Sequence, residues 1–365
     1  MNFVDIPKQD ESLQAEILTA IADIIRRGDF ILGREVGELE EMLKDYLGVK
    51  NAILVSSGTD AMALALRALD LPKGSSVITT PFTFFATSEV ILNEGLIPKY
   101  VDIDPSTYNI SPEAIAAAID YNTSAIMPVH IFGGPCDIEG IMRVANKQGL
   151  PVIEDCAQAF GASVGGKMVG SFGQFGCYSF YPTKNLGAYG DAGLMVTDDD
   201  AMAVKIRILR NQGSAAPYRH DFAGFNSRCD TVQAAILKAK LPHVNALNDR
   251  RREIAARYRE GLRKVKGLIL PEESAGTNHV YHQFTIQVEA RDDLRKALSE
   301  QGIPTAVYYD MGLNEQEALS GIESSVYLPQ TKEVCSRVLS LPIHPGLTEE
   351  DVARVITNVN KLLDV

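Results

Sequence analysis

Residues 51–79 read NAILVSSGTDAMALALRALDLPKGSSVIT, and this stretch decides the class of fold. Ala52–Val55 is a short apolar run typical of a buried strand, and Ser76–Thr79 is a second one. Between them, Asp60–Leu69 is rich in alanine and leucine, which are strong helix formers. The stretch therefore predicts a strand, a helix and a second strand, the unit from which parallel sheets are built.

The same alternation continues along the chain to about residue 153. The patterns predict helices at Ala86–Asn93, Pro112–Ile119 and Ile138–Gln148, and strands at Ile97–Asp102, Ala125–Val129 and Pro151–Ile153. Strands separated by helices of this length indicate a mostly parallel sheet that is covered by helices on both faces. The expected fold class is therefore α/β.

After about Pro242 the pattern changes. Ala246–Lys264 predicts a long charged helix, with Arg250–Glu253 on its solvated faces. His282–Val288 alternates apolar and polar residues, which predicts a half-buried antiparallel strand.

These changes predict two domains. Residues 30–244 are expected to form the large one, and residues 245–365 a smaller α+β domain. The apolar spacing within Leu13–Arg27 predicts a helix in the segment 1–29, which we expect to pack with the small domain.

Composition argues against several classes of protein. The chain has 365 residues, and its net charge of −12 disfavours nucleic acid or an anionic membrane as the main partner. No run approaches the roughly 18–20 apolar residues of a membrane span, and the polar Met1–Glu11 does not resemble a signal peptide. The five cysteines lack C-x-x-C spacing, so no disulfide framework and no metal site is expected, and a reduced, cytoplasmic setting fits best.

Val55–Asp60 passes from the end of a strand into the start of a helix. The free N–H groups of a first helical turn and the helix dipole favour an anion at such a position. Gly58 lets the backbone approach a ligand closely, and Thr59 adds a hydroxyl. The segment predicts an anion site, with a plain helix cap as the alternative.

Two further residues suit the same edge of the sheet. Asp155 follows an apolar strand, where ligands of open α/β sheets bind, and a carboxylate there can pair with a protonated heterocycle nitrogen. Its alternative role is to cap a loop. Lys184 lies within Ser179–Gly193, SFYPTKNLGAYGDAG, among aromatic and small residues. Apolar surroundings favour the neutral amine, which can attack a carbonyl; a surface lysine is the alternative.

Pyridoxal phosphate requires these three features together. It needs an amine for its aldehyde, a carboxylate for its pyridinium nitrogen and a site for its phosphate. Pro81–Thr87, PFTFFAT, could also supply a flat side chain over the ring. The combination therefore indicates a pyridoxal-phosphate enzyme.

Several motifs resemble one family in order and spacing over nearly the whole chain. They include PVHIFG at 128–133, EDCAQ at 154–158, the run at 179–193, GFNSR at 224–228 and LPIHPG at 341–346. The chain resembles the nucleotide-sugar aminotransferases of the DegT/DnrJ/StrS family. The resemblance implies an aspartate-aminotransferase-like fold (fold type I), whose large domain holds a mostly parallel, seven-stranded type of sheet.

The resemblance also implies roles for individual residues. Lys184 would be the catalytic residue that forms the Schiff base and moves the proton. The cofactor would be bound by Gly58, Thr59 and Ser179 at the phosphate, Phe84 over the ring, Asp155 at the ring nitrogen and Gln158 at the ring hydroxyl. Asn226 would come from a neighbouring subunit to the phosphate, with Arg228 facing the sugar nucleotide. This arrangement implies a homodimer with its active sites at the interface.

The implied activity is transamination in two half-reactions. The amino donor would be L-glutamate, which converts the cofactor to pyridoxamine phosphate, and the acceptor would be a nucleotide-linked keto-sugar. The run Lys184–Gly193 looks more like enzymes that aminate C3 than like those that aminate C4. Such amino-sugars serve surface polysaccharides such as lipopolysaccharide O-antigen.

The segment Gly302–Tyr309 is similar to enzymes that make UDP-2-acetamido-3-amino glucuronate. Tyr308 and Tyr309 are therefore expected to line the sugar site, although Tyr308 stands where those enzymes carry a histidine. Asp310 replaces a proline and would repel a uronate if it faced the ligand. A neutral tyrosine can still hydrogen-bond to a carboxylate but carries no positive charge.

Other interpretations remain open at this point. His282 either lines the sugar pocket or packs inside its strand. The chain could instead aminate C4, catalyse a cofactor-dependent dehydration, which the presence of Lys184 disfavours, or be a non-catalytic regulator on the same fold. Gly165–Lys167 is expected to be a hairpin turn.

Overall fold

The computed structural model describes residues 1–321 and 327–363, so residues 322–326, 364 and 365 of the expected small domain lie outside the described part. Its α-helices are α1 (Ile6–Gln9), α2 (Gln14–Arg27), α3 (Arg34–Leu47), α4 (Gly58–Leu69), α5 (Ala86–Asn93), α6 (Pro112–Ala118), α7 (Ile138–Gln148), α8 (Asp200–Arg210), α9 (Thr231–Lys240), α10 (Val244–Leu262), α11 (Arg291–Glu300), α12 (Pro329–Arg337) and α13 (Glu349–Leu363). Its strands are β1 (Asn51–Val55), β2 (Ser76–Thr79), β3 (Ile97–Tyr100), β4 (Thr123–Ile126), β5 (Ile153–Asp155), β6 (Ser163–Val164), β7 (Lys167–Met168), β8 (Phe175–Ser179), β9 (Gly193–Thr197), β10 (Ser214–Ala216), β11 (Arg219–His220), β12 (Leu268–Ile269), β13 (Thr277–Asn278), β14 (Phe284–Val288) and β15 (Val338–Leu341). In the described residues, no helix combines the length and the apolar character that a membrane crossing requires.

Seven strands form the main sheet in the order β1-β9-β8-β5-β4-β2-β3. The β4–β5 junction consists of two parallel bridges, Ile126 with Val152 and Val129 with Asp155. Only β9 runs antiparallel to the others, since it pairs antiparallel with both β1 and β8. The mostly parallel α/β sheet predicted from the sequence is thus confirmed, and its helices pack on both faces.

The carboxyl ends of β1, β5 and β8 lie at one edge of this sheet, where β9 begins. Two glycines allow the close packing of the chain there. A Cβ on Gly193 would lie 2.3 Å from the Ser57 carbonyl oxygen, and a Cβ on Gly58 would lie 2.7 Å from the Ser179 Cβ. Larger residues at either position would separate the strand ends.

A second sheet, β12-β14-β15, is antiparallel and packs against α10, α11 and α13. The antiparallel strand predicted near 282–288 is present as β14, but the prediction that it is half-buried is wrong, because all five of its residues are buried. The side of β14 that carries Thr285 and Gln287 is covered by the loop between β3 and α6. Gln287 Nε2 donates to the Pro105 carbonyl at 2.7 Å, and the Tyr108 hydroxyl donates to the Thr285 carbonyl at 3.1 Å.

The position of Arg251 differs from the solvated one predicted from the sequence. The charged helix is present as α10, but Arg251 lies inside the protein, with 2% of its surface exposed. Its guanidinium donates to the carbonyls of Tyr281 (3.3 Å) and Ile343 (2.8 Å), and burial lowers its pKa to about 10. The guanidinium therefore joins α10 to the residues just before β14 and just after β15, which lie at the same end of the small sheet.

The N-terminal segment is divided between two regions. Met1 packs in the core around the small sheet, whereas Leu13 and Ile17 pack against Ile236 and Ala239 of α9. The expectation that the N-terminal helix packs with residues 245–365 is therefore wrong for α2, because α9 lies within 30–244. The domain boundaries themselves stay predictions.

A buried ion pair holds this N-terminal segment against the large sheet's loops. Asp10 and Lys240 are 0% and 1% exposed, and their side chains are 2.8 Å apart. Lys240 Nζ also donates to the Gly187 carbonyl at 2.6 Å, and the Tyr189 hydroxyl donates to the same Asp10 oxygen at 3.0 Å. Since Gly187 and Tyr189 follow Lys184 closely in the chain, Asp10 and Lys240 fasten the loop that carries this lysine.

The segment that carries Tyr308 is attached to the large sheet. The Leu313 N–H donates to the Pro81 carbonyl at 2.8 Å. Farther along, Asp102 accepts from both the N–H and the hydroxyl of Thr331 at 2.8 and 2.7 Å. On the other side of Tyr308, Ala306 exchanges two backbone hydrogen bonds with Ser340 of β15, at 3.2 and 2.7 Å. The segment 306–313 is thus fixed at one end to the small sheet and at the other to the loop that follows β2.

Candidate active site

A cavity of about 500 Å³ opens at the carboxyl edge of the main sheet. Ten of the residues proposed from the sequence line it: Gly58, Thr59, Phe84, Asp155, Gln158, Ser179, Lys184, His282, Tyr308 and Tyr309. The segments that bring them together are the ends of β1, β5 and β8, the two loops around residues 184 and 308, and the residues just before β14. Residues more than 200 positions apart in the chain therefore meet at one site.

Lys184 is partly buried among the cavity walls. Burial lowers its pKa to about 8, and the charge of Asp155 acts in the opposite direction. At pH 7 about a tenth of such an amine is neutral, far more than for an exposed lysine. The sequence prediction of a lysine suited to attack a carbonyl agrees with this environment.

This shift predicts how the cofactor-free protein captures an aldehyde. Because the neutral amine reacts, the rate of pyridoxal phosphate capture should rise about tenfold per pH unit below pH 8 and level off above it. Absorbance-monitored capture between pH 6 and 10 checks this. In Asp155→Asn the plateau should begin at a lower pH, because the charge that raises the lysine pKa is gone. A rate that keeps rising to pH 10 in the unmodified protein would contradict the assignment.

Asp155 is buried, with 4% of its surface exposed. Its carboxylate accepts from the Thr87 hydroxyl and from the Ala157 N–H, both at 3.0 Å. Burial raises its pKa, while these two hydrogen bonds and the charge of Lys184 lower it. Among the described residues this carboxylate forms no ion pair, so the protonated nitrogen of a heterocycle fits beside it.

The start of α4 forms another part of the cavity wall. The Ser57 hydroxyl caps this helix by accepting a hydrogen bond from the Asp60 N–H at 3.1 Å. The Ser57 carbonyl accepts a second one from the Ala61 N–H at 3.0 Å. Within the described part of the chain, the N–H groups of Gly58 and Thr59 have no acceptor. Two unpaired N–H groups at the positive end of a helix suit a phosphate, as the sequence predicted.

Gln158 contacts the cavity from a fixed orientation. Its Oε1 accepts from the Phe132 N–H at 2.8 Å, which directs the Nε2 group toward the Tyr309 hydroxyl, 3.2 Å away. This amide can donate to an oxygen in the cavity, such as a ring hydroxyl. Phe84 lines the cavity but is 61% exposed, so its place over a ring stays a prediction.

Asn226 and Arg228 do not line the cavity of their own chain. Asn226 is exposed, and Arg228 Nη1 donates to Asn211 Oδ1 at 2.8 Å. Their predicted contribution to the active site of a neighbouring subunit stays a prediction. Asp310 is exposed and also lies outside the cavity residues, whereas the half-buried Tyr308 faces the cavity.

The sequence analysis missed several residues of the site. Thr87 holds Asp155, and Asn185 contacts His282, as described below. Asp191 and Gln283 line the cavity. Asn185 and Asp191 lie in the same run as Lys184, and Thr87 ends the run Pro81–Thr87, but nothing in either run indicated these particular side chains.

A buried cluster lies behind Asp155. Glu154 accepts from the N–H groups of Gly170, Phe172 and Gly173, and its carboxylate lies 3.2 Å from His130 Nε2. The other ring nitrogen of His130 accepts from the Cys136 N–H. Because both ring nitrogens and the carboxylate are engaged within the protein, we interpret the cluster as structural. The hairpin expected at 165–167 is also confirmed, since it joins β6 and β7.

Comparison with known proteins matches this site to a family. Residues 11–360 match the model of the DegT/DnrJ/EryC1/StrS aminotransferase family. A UDP-N-acetyl-3-dehydro-alpha-D-glucosamine 3-aminotransferase of Acidithiobacillus ferrooxidans is 46% identical, over 99% of this chain and 97% of the relative. A pleiotropic regulatory protein of Geobacillus stearothermophilus is 43% identical over 98% and 97%. The UDP-2-acetamido-2-deoxy-3-oxo-D-glucuronate aminotransferase of Pseudomonas aeruginosa is 40% identical over 95% and 96%.

Solved structures agree with the sequence relatives. S. venezuelae DesV, crystallised in complex with a ketimine intermediate, superposes with a TM-score of 0.97 at 37% identity, over 100% of this chain and 98% of that one. The similarity thus extends over the whole fold and includes the elements that form the cavity.

Proposed function

The chain belongs to the DegT/DnrJ/EryC1/StrS aminotransferase family, and we propose that it aminates C3 of a UDP-linked 2-acetamido-3-oxo hexose whose C6 carries no carboxylate. As a member of that family it is a pyridoxal-phosphate-dependent aminotransferase that acts on a nucleotide-linked keto-sugar. The proposal concerns the identity of the sugar, the amino donor and the assembly.

The charge of the cavity carries the proposal. Among the described residues that line it, Lys184 is the only one with a cationic side chain, and Asp155 and Asp191 add negative charge. A uronate carboxylate there would lose water without gaining a cation, which is unfavourable. The 46% identical relative, named for an N-acetylglucosamine derivative rather than a uronate, supports the same substrate class.

Each residue around the cofactor site has its own proposed role in the transamination. Pyridoxal phosphate, when bound, withdraws electrons from the carbon that carries the transferred amine. Lys184 supplies a neutral amine at its Nζ and moves the proton, Asp155 keeps the proton on the ring nitrogen, and the start of α4 binds the phosphate. Gln158 Nε2 donates to the ring hydroxyl. We take L-glutamate as the amino donor.

We also propose that two copies complete each active site. Large apolar side chains around this edge of the sheet are exposed in the single chain: Phe30, Ile31, Leu32, Phe84, Tyr181 and Tyr189. A second copy would cover them and bring its Asn226 to the phosphate and its Arg228 to the diphosphate of the nucleotide. All five cysteines are buried and unpaired, which supports a reducing cytoplasmic setting, and surface polysaccharide is the expected destination of the amino-sugar.

The test separates the two half-reactions. The protein is loaded with pyridoxal phosphate, treated with L-glutamate and freed of the donor, while absorbance of the pyridoxal form is followed. UDP-linked 2-acetamido-3-oxo glucose should restore that form, and the matching glucuronate should do so with a kcat/KM lower by roughly 10–100-fold, as expected for an unpaired carboxylate. A 4-oxo sugar serves as the control for position.

Each result has a defined meaning. Equal rates with the uronate would contradict the charge argument, and recovery only with the 4-oxo sugar would contradict C3. No change with glutamate would contradict glutamate as the donor. If other amino acids also leave the spectrum unchanged, the result favours a regulator, the role named for the Geobacillus relative.

A further inference from the structure

A chain of hydrogen bonds beside Lys184 determines how His282 presents its ring. Asn248 Nδ2 donates to the Phe160 carbonyl at 3.1 Å, so its Oδ1 accepts from Asn185 Nδ2 at 2.7 Å. Asn185 Nδ2 also donates to the Val280 carbonyl at 2.9 Å. Two backbone carbonyls, which can only accept, thereby fix the orientation of both amides.

The orientation of Asn185 determines the tautomer of His282. The Asn185 Oδ1 lies 3.2 Å from His282 Nδ1 and can only accept, so Nδ1 carries the hydrogen. Burial, together with the charges of Lys184 and Arg251, lowers the pKa of His282 well below its usual value, and the ring is neutral. A neutral ring with the hydrogen on Nδ1 has a lone pair on Nε2, which can therefore only accept.

This acceptor belongs to the cavity wall. His282 lines the cavity and is 7% exposed, and Nε2 has no donor among residues 1–321 and 327–363. Nε2 is not one of the fully buried side-chain atoms, so it is open to the cavity, and a ligand that displaces water from it keeps the acceptor satisfied only if it brings a hydroxyl or an N–H. The carboxylate groups of an amino donor carry no such hydrogen at neutral pH, and its amino group is the one transferred to the cofactor.

We propose that His282 Nε2 accepts a hydrogen bond from a hydroxyl or the acetamido N–H of the keto-sugar, which makes His282 a specificity-determining residue. This inference rests on the proposed function, because it assigns the residue to the sugar half-reaction. Asn185 is then a positioning residue, since its amide holds the ring in the required tautomer.

Two substitutions separate the role of His282 Nε2, which accepts from the sugar, from the role of Nδ1, which donates to Asn185. In His282→Asn the shorter amide can still donate to Asn185 but does not reach the position of Nε2. In His282→Gln the longer amide can place an oxygen there. We expect His282→Asn to lower kcat/KM for the keto-sugar by about 10–100-fold while leaving that for glutamate within about twofold, and His282→Gln to recover most of the loss. His243→Asn, at an exposed histidine outside the cavity, is the matched control.

The readouts also separate this inference from the proposed function. The glutamate half-reaction and thermal unfolding show whether each variant is folded and competent, and calorimetric binding of the amino-sugar product measures recognition without turnover. An equal loss in both half-reactions, or unchanged product affinity in His282→Asn, would overturn the inference. The unmodified protein and His282→Asn are also compared with a keto-sugar that lacks the 2-acetamido group. If their kcat/KM values are then equal, the hydrogen bond is assigned to the acetamido N–H. If they still differ, it is assigned to a hydroxyl.

Discussion

Lys184→Ala is expected to lower the rate of transamination by roughly 10⁴-fold or more, because one side chain supplies both the nucleophile and the group that moves the proton. The variant should fold normally, since Lys184 makes no side-chain ion pair in the described structure. Asp155, Gln158 and the start of α4 remain, so the cofactor should still bind without a covalent bond. Single-turnover absorbance with glutamate and then with the keto-sugar measures the loss, and cofactor fluorescence measures binding.

A matched control and a rescue make this test specific. Lys266→Ala removes an exposed lysine outside the cavity and should leave both half-reactions unchanged. A small amine such as methylamine can enter a cavity of about 500 Å³ and should restore part of the proton transfer in Lys184→Ala. Substantial turnover by the variant without added amine would assign the proton transfer to another residue.

Asp10→Asn is expected to destabilise the protein by about 3–5 kcal/mol, because it leaves the buried Lys240 without its anionic partner. The double variant Asp10→Asn/Lys240→Met should lose less, because no unpaired charge remains inside. Urea unfolding at fixed protein concentration measures both, and a double-mutant cycle gives the coupling between the two residues.

The exposed pair Arg26 and Asp23 provides the comparison. Asp23→Asn should change the free energy of unfolding by less than about 1 kcal/mol, because water already solvates both charges. If Asp10→Asn is equally mild, water reaches Lys240 and the ion pair does not fasten the N-terminal segment. Loss of the pair should also slow capture of pyridoxal phosphate, since Lys240 holds the Gly187 carbonyl near Lys184.

The parts of this fold that depend on neighbouring residues were predictable from the sequence. The unit β1–α4–β2 was predicted to within two residues, because apolar runs and helix formers act locally. The active-site edge followed from the rule that parallel strands end together, which placed Gly58 and Asp155 at the same edge of the sheet. The apolar and small residues around Lys184 indicated its chemistry, and the family resemblance added Gln158 to the same cavity.

Features that depend on distant contacts were not predictable. The burial of both faces of β14 depends on the loop around Tyr108, and the burial of Arg251 depends on carbonyls about 30 and 90 positions away. The helix α2 packs on α9 rather than on the small sheet, although its apolar spacing is the same in either case. The roles proposed for Asn226 and Arg228 depend on contacts between two copies, which one chain does not contain.

The attachment of the Tyr308 segment affects how substrate preference can diverge. One anchor runs from the Leu313 N–H to the Pro81 carbonyl, the other joins Ala306 to Ser340, and both use only backbone atoms. Residues 307–312, which lie between these anchors, can therefore be substituted, or replaced as a whole by those of a relative, without moving Lys184 or Asp155. New sugars could be accepted in this way while the transamination chemistry is inherited intact.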